Sequence, residues 1–253
     1  MQFSSPDKLL FTDPPVTKGE VAKYYAAVAT RMLPYVRGRT LSLVVCPQGV
    51  KSECFYKKNP APITINDEEE LLLAVQNNAI EFHVTSLPDI MVFDLDPDEG
   101  LGLREVRQGV RDLKSVLDSL NLVSFLKTSG GKGYHVVVPF VPIADWAAFS
   151  NFAKTVAQYM EQKWPTRYTS NVRKINRRGK IFVDWIRNGR GATSIAPYSL
   201  RARSGARVSL PIAWSDLPKI APNSITMKKA LTSIKAANPW EGFFKVQLTQ
   251  KLA

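Results

Sequence analysis

The hydrophobic positions along the chain separate into stretches of helical and of strand-like spacing. Thr17-Lys18-Gly19-Glu20 has the form of a capping box, and Val21, Tyr24, Tyr25, Val28 and Met32 follow at helical spacing. This predicts a helix that stops before Pro34. Leu41 to Val45 and Glu53 to Lys57 predict a strand pair around the turn Pro47-Gln48-Gly49. A short helix from Asp67 to Asn77, with Asn66 as N-cap, and a strand over Ile80 to Val84 come next. Leu103, Val106, Val110, Leu113, Leu117 and Leu120 line one helix face, with Arg104, Arg107, Arg111 and Lys114 as its solvated side. Strands over 122–127 and 134–139, a helix over 145–163, a strand over 180–186, a short strand over 192–196 and a last helix over 224–237 complete the pattern. Residues 1–16 read as irregular, and 164–180 as a basic, mobile connection.

One stretch adds chemistry to this pattern. Ile90-Met91-Val92-Phe93 leads into Asp94-Leu95-Asp96-Pro97. In a strand, the i, i+2 spacing points both carboxylates out of one face, about 6–7 Å apart. Side-by-side anions call for a cation, and hard divalent ions suit oxygen ligands best. A solvated strand end is the simpler alternative. Asp184, inside the apolar run Ile181-Phe182-Val183-Asp184-Trp185, is a third carboxylate in need of compensation. Either a metal ion or one of the many arginines supplies it.

Composition narrows the partners. With 34 Lys+Arg against 22 Asp+Glu, the chain carries +12 and suits a polyanion such as nucleic acid or nucleotide phosphate. Cys46 and Cys54 have no metal-ligand spacing, and reduced thiols in a cytosolic protein are the default. The pattern indicates neither secretion nor a membrane span.

Further candidates surround the acidic pair. Ser129-Gly130-Gly131-Lys132-Gly133 offers a hydroxyl, a lysine and unshielded backbone N–H groups, the ingredients of a phosphate cradle, though a plain hairpin turn has the same composition. The two histidines, His83 and His135, both fall on predicted strands, with His135 just beyond that loop. Phe55-Tyr56-Lys57-Lys58 places aromatics beside cations, which suits base stacking and phosphate contact, or else a sheet core.

Four ordered blocks then carry a family resemblance: Val92 to Pro97, Lys127-Thr128-Ser129-Gly130-Gly131-Lys132-Gly133-Tyr134-His135, Phe182-Val183-Asp184-Trp185, and Ala196-Pro197-Tyr198-Ser199-Leu200-Arg201-Ala202-Arg203. Together they resemble the polymerase (primase-polymerase) domain of bacterial ATP-dependent DNA ligase D, of the archaeo-eukaryotic primase superfamily. The resemblance implies an α+β fold with an antiparallel, RRM-like palm sheet and flanking helices. It also implies a single domain over 1–253, with a smaller N-terminal α/β portion over 1–80 and a catalytic palm portion over 81–253.

The implied activity is nucleotidyl transfer in bacterial non-homologous end joining, adding NTPs, ribonucleotides by preference, to primer 3′-OH ends with Mn2+ or Mg2+ in a two-metal site. Asp94, Asp96 and Asp184 would be the catalytic metal ligands. His83, Ser129, Gly130, Lys132, His135 and Arg201 would hold the nucleotide. Phe55, Tyr56 and Lys58 would meet the template, and Lys8 and Lys18 a 5′-phosphate on the downstream strand. A cytoplasmic, nucleoid-associated setting follows, with DNA ends and NTPs as partners and, in the same system, Ku and ligase or nuclease domains. Departures from the family pattern are Val45 for a basic residue, Lys57-Lys58-Asn59 for Gln-Lys-His, and Arg187 for a glutamine found in some members. A phosphatase of the haloacid-dehalogenase type lacks its later acidic motif here. A catalytically silent DNA-end-binding module is the remaining alternative.

Overall fold

A computed structural model describes residues 3–57 and 62–252. In order, the elements are β1 (Leu9–Thr12), β2 (Pro15–Thr17), α1 (Lys18–Val36), β3 (Leu41–Val45), β4 (Phe55–Lys57), α2 (Glu68–Gln76), β5 (Ala79–Thr85), β6 (Ile90–Pro97) and α3 (Leu103–Ser119). There follow β7 (Phe125–Thr128), β8 (Tyr134–Pro139), α4 (Trp146–Lys163), β9 (Tyr168–Thr169), β10 (Ile181–Asp184), β11 (Thr193–Ile195), β12 (Pro211–Ile212), α5 (Met227–Ser233) and α6 (Phe243–Gln247). They form two compact units built from interleaved segments: Met1–Thr85, Thr193–Leu210 and Asn223–Asn238 in the first, Ser86–Ala192, Pro211–Pro222 and Pro239–Ala253 in the second. The division expected after residue 80 falls inside β5.

The second unit holds a sheet of order β12-β7-β8-β6-β10-β9. Its run β6-α3-β7-β8-α4-β10 is a split βαβ arrangement, with the four central strands mutually antiparallel as expected for an RRM-like palm. Period-two alternation sorts each strand. Met91, Phe93 and Leu95 of β6, Tyr134, Val136 and Val138 of β8, and Ile181 and Val183 of β10 share one apolar core with Val110, Leu113 and Leu117 of α3 and Phe149, Ala153 and Met160 of α4. Gly109, in mid-helix α3, lets the helix approach: a Cβ there would lie 3.2 Å from Ile181, 3.3 Å from Tyr168 and 3.4 Å from Leu95.

The first unit holds a four-stranded antiparallel sheet, β11-β5-β3-β4. Tyr25 ties α1 to it, donating to the Ile80 carbonyl at 2.5 Å and accepting from the Leu200 N–H at 2.9 Å, while Tyr24 donates to the Tyr198 carbonyl at 2.6 Å. The segment 197–203 is thereby wrapped against α1 and β5.

Several expectations are corrected. Helix α1 runs through Pro34 to Val36, because proline in the last turn removes a single hydrogen bond while Leu33, Tyr35 and Val36 are buried. The N-cap of α2 is Asp67, whose side chain accepts from Glu70 N; Asn66 lies one residue earlier. Residues 9–17 form a hairpin, not irregular chain, with Asp13-Pro14 cis between its strands. The basic segment 164–180 is held: Glu161 accepts from Thr169 and Ser170, and Arg167 pairs with Asp112 at 2.8 Å. Helix α6 was not expected, and the last predicted helix shrinks to Met227–Ser233.

The cysteines are also not reduced thiols. Val45 pairs with Phe55, so Cys46 and Cys54 face each other as the next position of the β3–β4 ladder, 4.3 Å apart at Cα, and are joined as a disulfide.

Gly109→Leu should overpack the α3–sheet contact and cost about 1–3 kcal/mol, read as a lower urea midpoint with an unchanged slope.

Candidate active site

The alternation that buries one face of the second unit's sheet sets Lys127, His135, Asp94 and Asp184 on the other, beside the buried Phe125, Val137, Val92 and Phe182. Register aligns them in a row: Lys127 of β7 pairs with His135 of β8, His135 with Asp94 of β6, and Asp94 with Asp184 of β10. At about 4.8 Å between strands, a cation, an imidazole and two carboxylates stand side by side. Asp184 is the last residue of β10 rather than mid-strand.

Arg187 neutralises the acidic end of this row. It sits in the 3-10 turn Ile186–Asn188 after β10, and its guanidinium lies 2.9 Å from both the Asp94 and Asp184 carboxylates. Asp96, more exposed, faces Arg177 at 3.6 Å, and Arg177 in turn lies 3.6 Å over the Phe182 ring. Among the described residues no group of three or more Asp, Glu, His or Cys side chains is gathered for a metal ion. The three aspartates share a sheet face but not a point.

The charges act on one another. Burial pushes the Asp94 carboxyl up, and the His135 contact at 3.4 Å with the Arg187 and Lys127 cations more than reverses this, holding it well below the usual carboxylate range. Burial, and then the neighbouring Asp94, push Asp96 up; burial does the same to Asp184 against the pull of Arg187. Burial, reinforced by Lys127, pushes His135 down to about 4, so it is neutral near pH 7. Its Nδ1 is buried with no hydrogen-bond partner.

The loop from Ser129 to Gly133 is a tight turn. The Ser129 hydroxyl donates to the Gly133 carbonyl at 2.6 Å and accepts from Gly131 N at 3.1 Å, while Gly130, with φ +68°, donates to the Pro222 carbonyl at 3.1 Å. Those groups are committed within the protein, and Lys132 is the exposed cation of the loop. Gly133 is required by proximity: a Cβ would lie 2.5 Å from the Leu95 carbonyl oxygen.

In the first unit a second cluster centres on Glu81 of β5. Its buried carboxylate binds His83 Nε2 at 2.8 Å, Arg201 Nε at 3.2 Å and Ala202 N at 2.6 Å. Burial pushes Glu81 up, but the His83 hydrogen bond and Arg201 bring it below its ordinary value. Tyr56 lies 5.6 Å from the His83 ring, ring centre to ring centre. Phe55, one residue away and so on the other sheet face, lines a groove with Leu43, Val45 and Leu73 instead. Both aromatics are about half exposed, at 49% and 59%. Lys58 lies outside the described residues.

Lys8 and Lys18 come together at the start of α1: Lys18 N donates to the Lys8 carbonyl at 2.8 Å, and the Lys8 ammonium donates to the Pro47 carbonyl. Burial and then Lys8 lower the Lys18 pKa.

Residue patterns did not single out Glu81, Lys127 or Arg177. The signal for Glu81 was its i, i+2 spacing from His83 on an alternating strand, and Lys127 stood inside the quoted glycine-loop block.

Residues 17–63 and 60–240 match the model of the LigD primase-polymerase domain. The chain belongs to that family. It is 32% identical to the multifunctional non-homologous end joining protein LigD of Pseudomonas aeruginosa, over 96% of this chain and 33% of that one. Against the LigD of Mycolicibacterium smegmatis the identity is 33%, over 86% of this chain and 32% of the relative. The LigD polymerase domain of Mycobacterium tuberculosis, solved in complex with DNA, superposes with a TM-score of 0.90 at 30% identity, covering 99% of both chains. The chain thus spans about a third of the length of these LigD relatives. No helix among the described residues is long and apolar enough to cross a membrane.

Because folding lowers the Glu81 pKa, its contribution to stability is fully present above the ordinary glutamate value and is lost as pH falls from there through the lowered one. Glu81→Gln should therefore be less stable near pH 7 by about 1–3 kcal/mol. The gap should narrow as urea midpoints are taken at progressively lower pH.

Proposed function

We propose that this LigD-family chain is a nucleotidyltransferase that adds nucleoside triphosphates, ribonucleotides by preference, to primer 3′-OH ends at double-strand breaks undergoing bacterial non-homologous end joining. The row Lys127–His135–Asp94–Asp184 supports this reading above all: two opposed, part-buried carboxylates with cations on either side suit a divalent ion and a polyphosphate together.

The residues fit Mn2+ or Mg2+ by donor chemistry. Asp94, Asp96 and Asp184 are oxygen donors on one sheet face, and burial raises the Asp96 and Asp184 carboxyls. These three would hold the ions, which supply Lewis acidity to the attacking hydroxyl and the triphosphate when bound. The 3′-oxygen would then attack the α-phosphorus in line, and pyrophosphate would leave. Lys132 and His135 would receive the nucleotide, Lys132 as the exposed cation of the loop. Ser129 and Gly130 would shape the loop that presents Lys132. Glu81 would orient His83 and Arg201 for contact with a nucleotide.

On the DNA side, Tyr56, with Lys58, would meet the template by stacking and phosphate contact, while Phe55, on the opposite face, would do so only from the other side of the sheet. Lys8 and Lys18, two ammoniums at a helix N-terminus, suit a 5′-phosphate. Further partners would be a Ku-type end-binding protein and the ligase and nuclease domains of the same system.

The test is extension of a labelled primer on gapped DNA, comparing NTPs with dNTPs in Mn2+ and Mg2+. Asp184→Asn should cut extension by at least ~100-fold while gel-shift DNA binding persists. Lys8→Ala with Lys18→Ala should remove the preference for a downstream 5′-phosphate. DNA binding with no addition by the unaltered chain in either metal would leave a silent end-binding module.

A further inference from the structure

The acidic pair already has a cation. Asp94 and Asp184 are directly opposed across β6 and β10, and Arg187 contacts both at 2.9 Å. We infer that Arg187 is a built-in counter-cation that occupies this pair until a divalent ion displaces it, so that its withdrawal is a condition of metal loading. The inference rests on Asp94 and Asp184 being the metal ligands.

Charge and mobility both point this way. A guanidinium and a divalent ion cannot share the same two carboxylate oxygens without repulsion, because like charges about 4 Å apart oppose each other even at the effective dielectric of a protein surface. One must leave. The backbone under Arg187 is not what moves, because its turn is anchored on both sides. Asp184 Oδ1 accepts from Ile186 N at 3.0 Å, and the fully buried Asn188 side chain accepts from Val92 N at 2.7 Å and donates to the Val92 carbonyl at 2.9 Å. The long Arg187 side chain, a third exposed, can rotate toward water while its turn stays in place. Until it does, it keeps two crowded carboxylates from facing each other uncompensated.

The experiment is Mn2+ binding to the free protein, without DNA or nucleotide, followed by electron paramagnetic resonance of unbound Mn2+. Arg187→Gln should bind Mn2+ at least about tenfold more tightly than the unaltered chain, with Arg187→Lys between them. In chelator, Arg187→Gln should melt at lower temperature than the unaltered chain, and saturating Mn2+ should close that gap, since metal and guanidinium serve the same carboxylates. Equal or weaker affinity in Arg187→Gln, or a melting gap that Mn2+ leaves open, overturns the inference. Asp184→Asn separates this from the ligand reading: it should abolish Mn2+ binding in both backgrounds. If binding survives Asp184→Asn, or no variant binds Mn2+, the ligand reading itself fails and the inference with it.

Discussion

Two carboxylates placed opposite each other on adjacent antiparallel strands repel, and the second unit is arranged around that repulsion. Asp94 and Asp184 have no freedom to separate, since β6 and β10 are locked by their ladder and by the apolar residues that alternate with the aspartates. Relief comes from charge. Arg187 bridges the pair, Lys127 lies two strands away along the same row, and Arg177 serves Asp96. The opposed anions are thereby held at close quarters within the fold.

Apolar packing supplies the force that holds the arrangement against its electrostatic cost. Met91, Phe93 and Leu95 bury their side chains with α3 and α4, and every residue so buried commits its neighbour on the strand to the opposite face. The open face inherits its charges from the same alternation. Gly133 and Gly109 mark how close this packing is: one admits the Leu95 carbonyl, the other admits the sheet to α3. In the first unit, Glu81 plays a comparable part on a smaller scale, a buried anion that fixes a histidine and an arginine by their nitrogens.

Much of this was legible in the residues. The i, i+2 aspartates, the capping box of α1, the amphipathic α3 and the four ordered blocks are local patterns, and local patterns survive into the fold because they depend on strand and helix periods alone. The family followed from those blocks, and the fold class with it.

What the sequence could not determine was partnership across strands and between distant segments. Nothing in the spacing of Lys127, His135, Asp94 and Asp184 shows that they form one row, because register is set by which strands become neighbours and how they slide. Sequence left the compensating charge for Asp184 open between metal and arginine; only the turn after β10 placed Arg187 on both carboxylates. Cys46 and Cys54 became a disulfide through hairpin geometry, and Phe55 and Tyr56, adjacent in sequence, were sent to opposite faces by the pleat. Composition and period thus marked candidate residues for the chemistry, while tertiary pairing decided which of them meet, because contact is a property of strand order and not of distance along the chain.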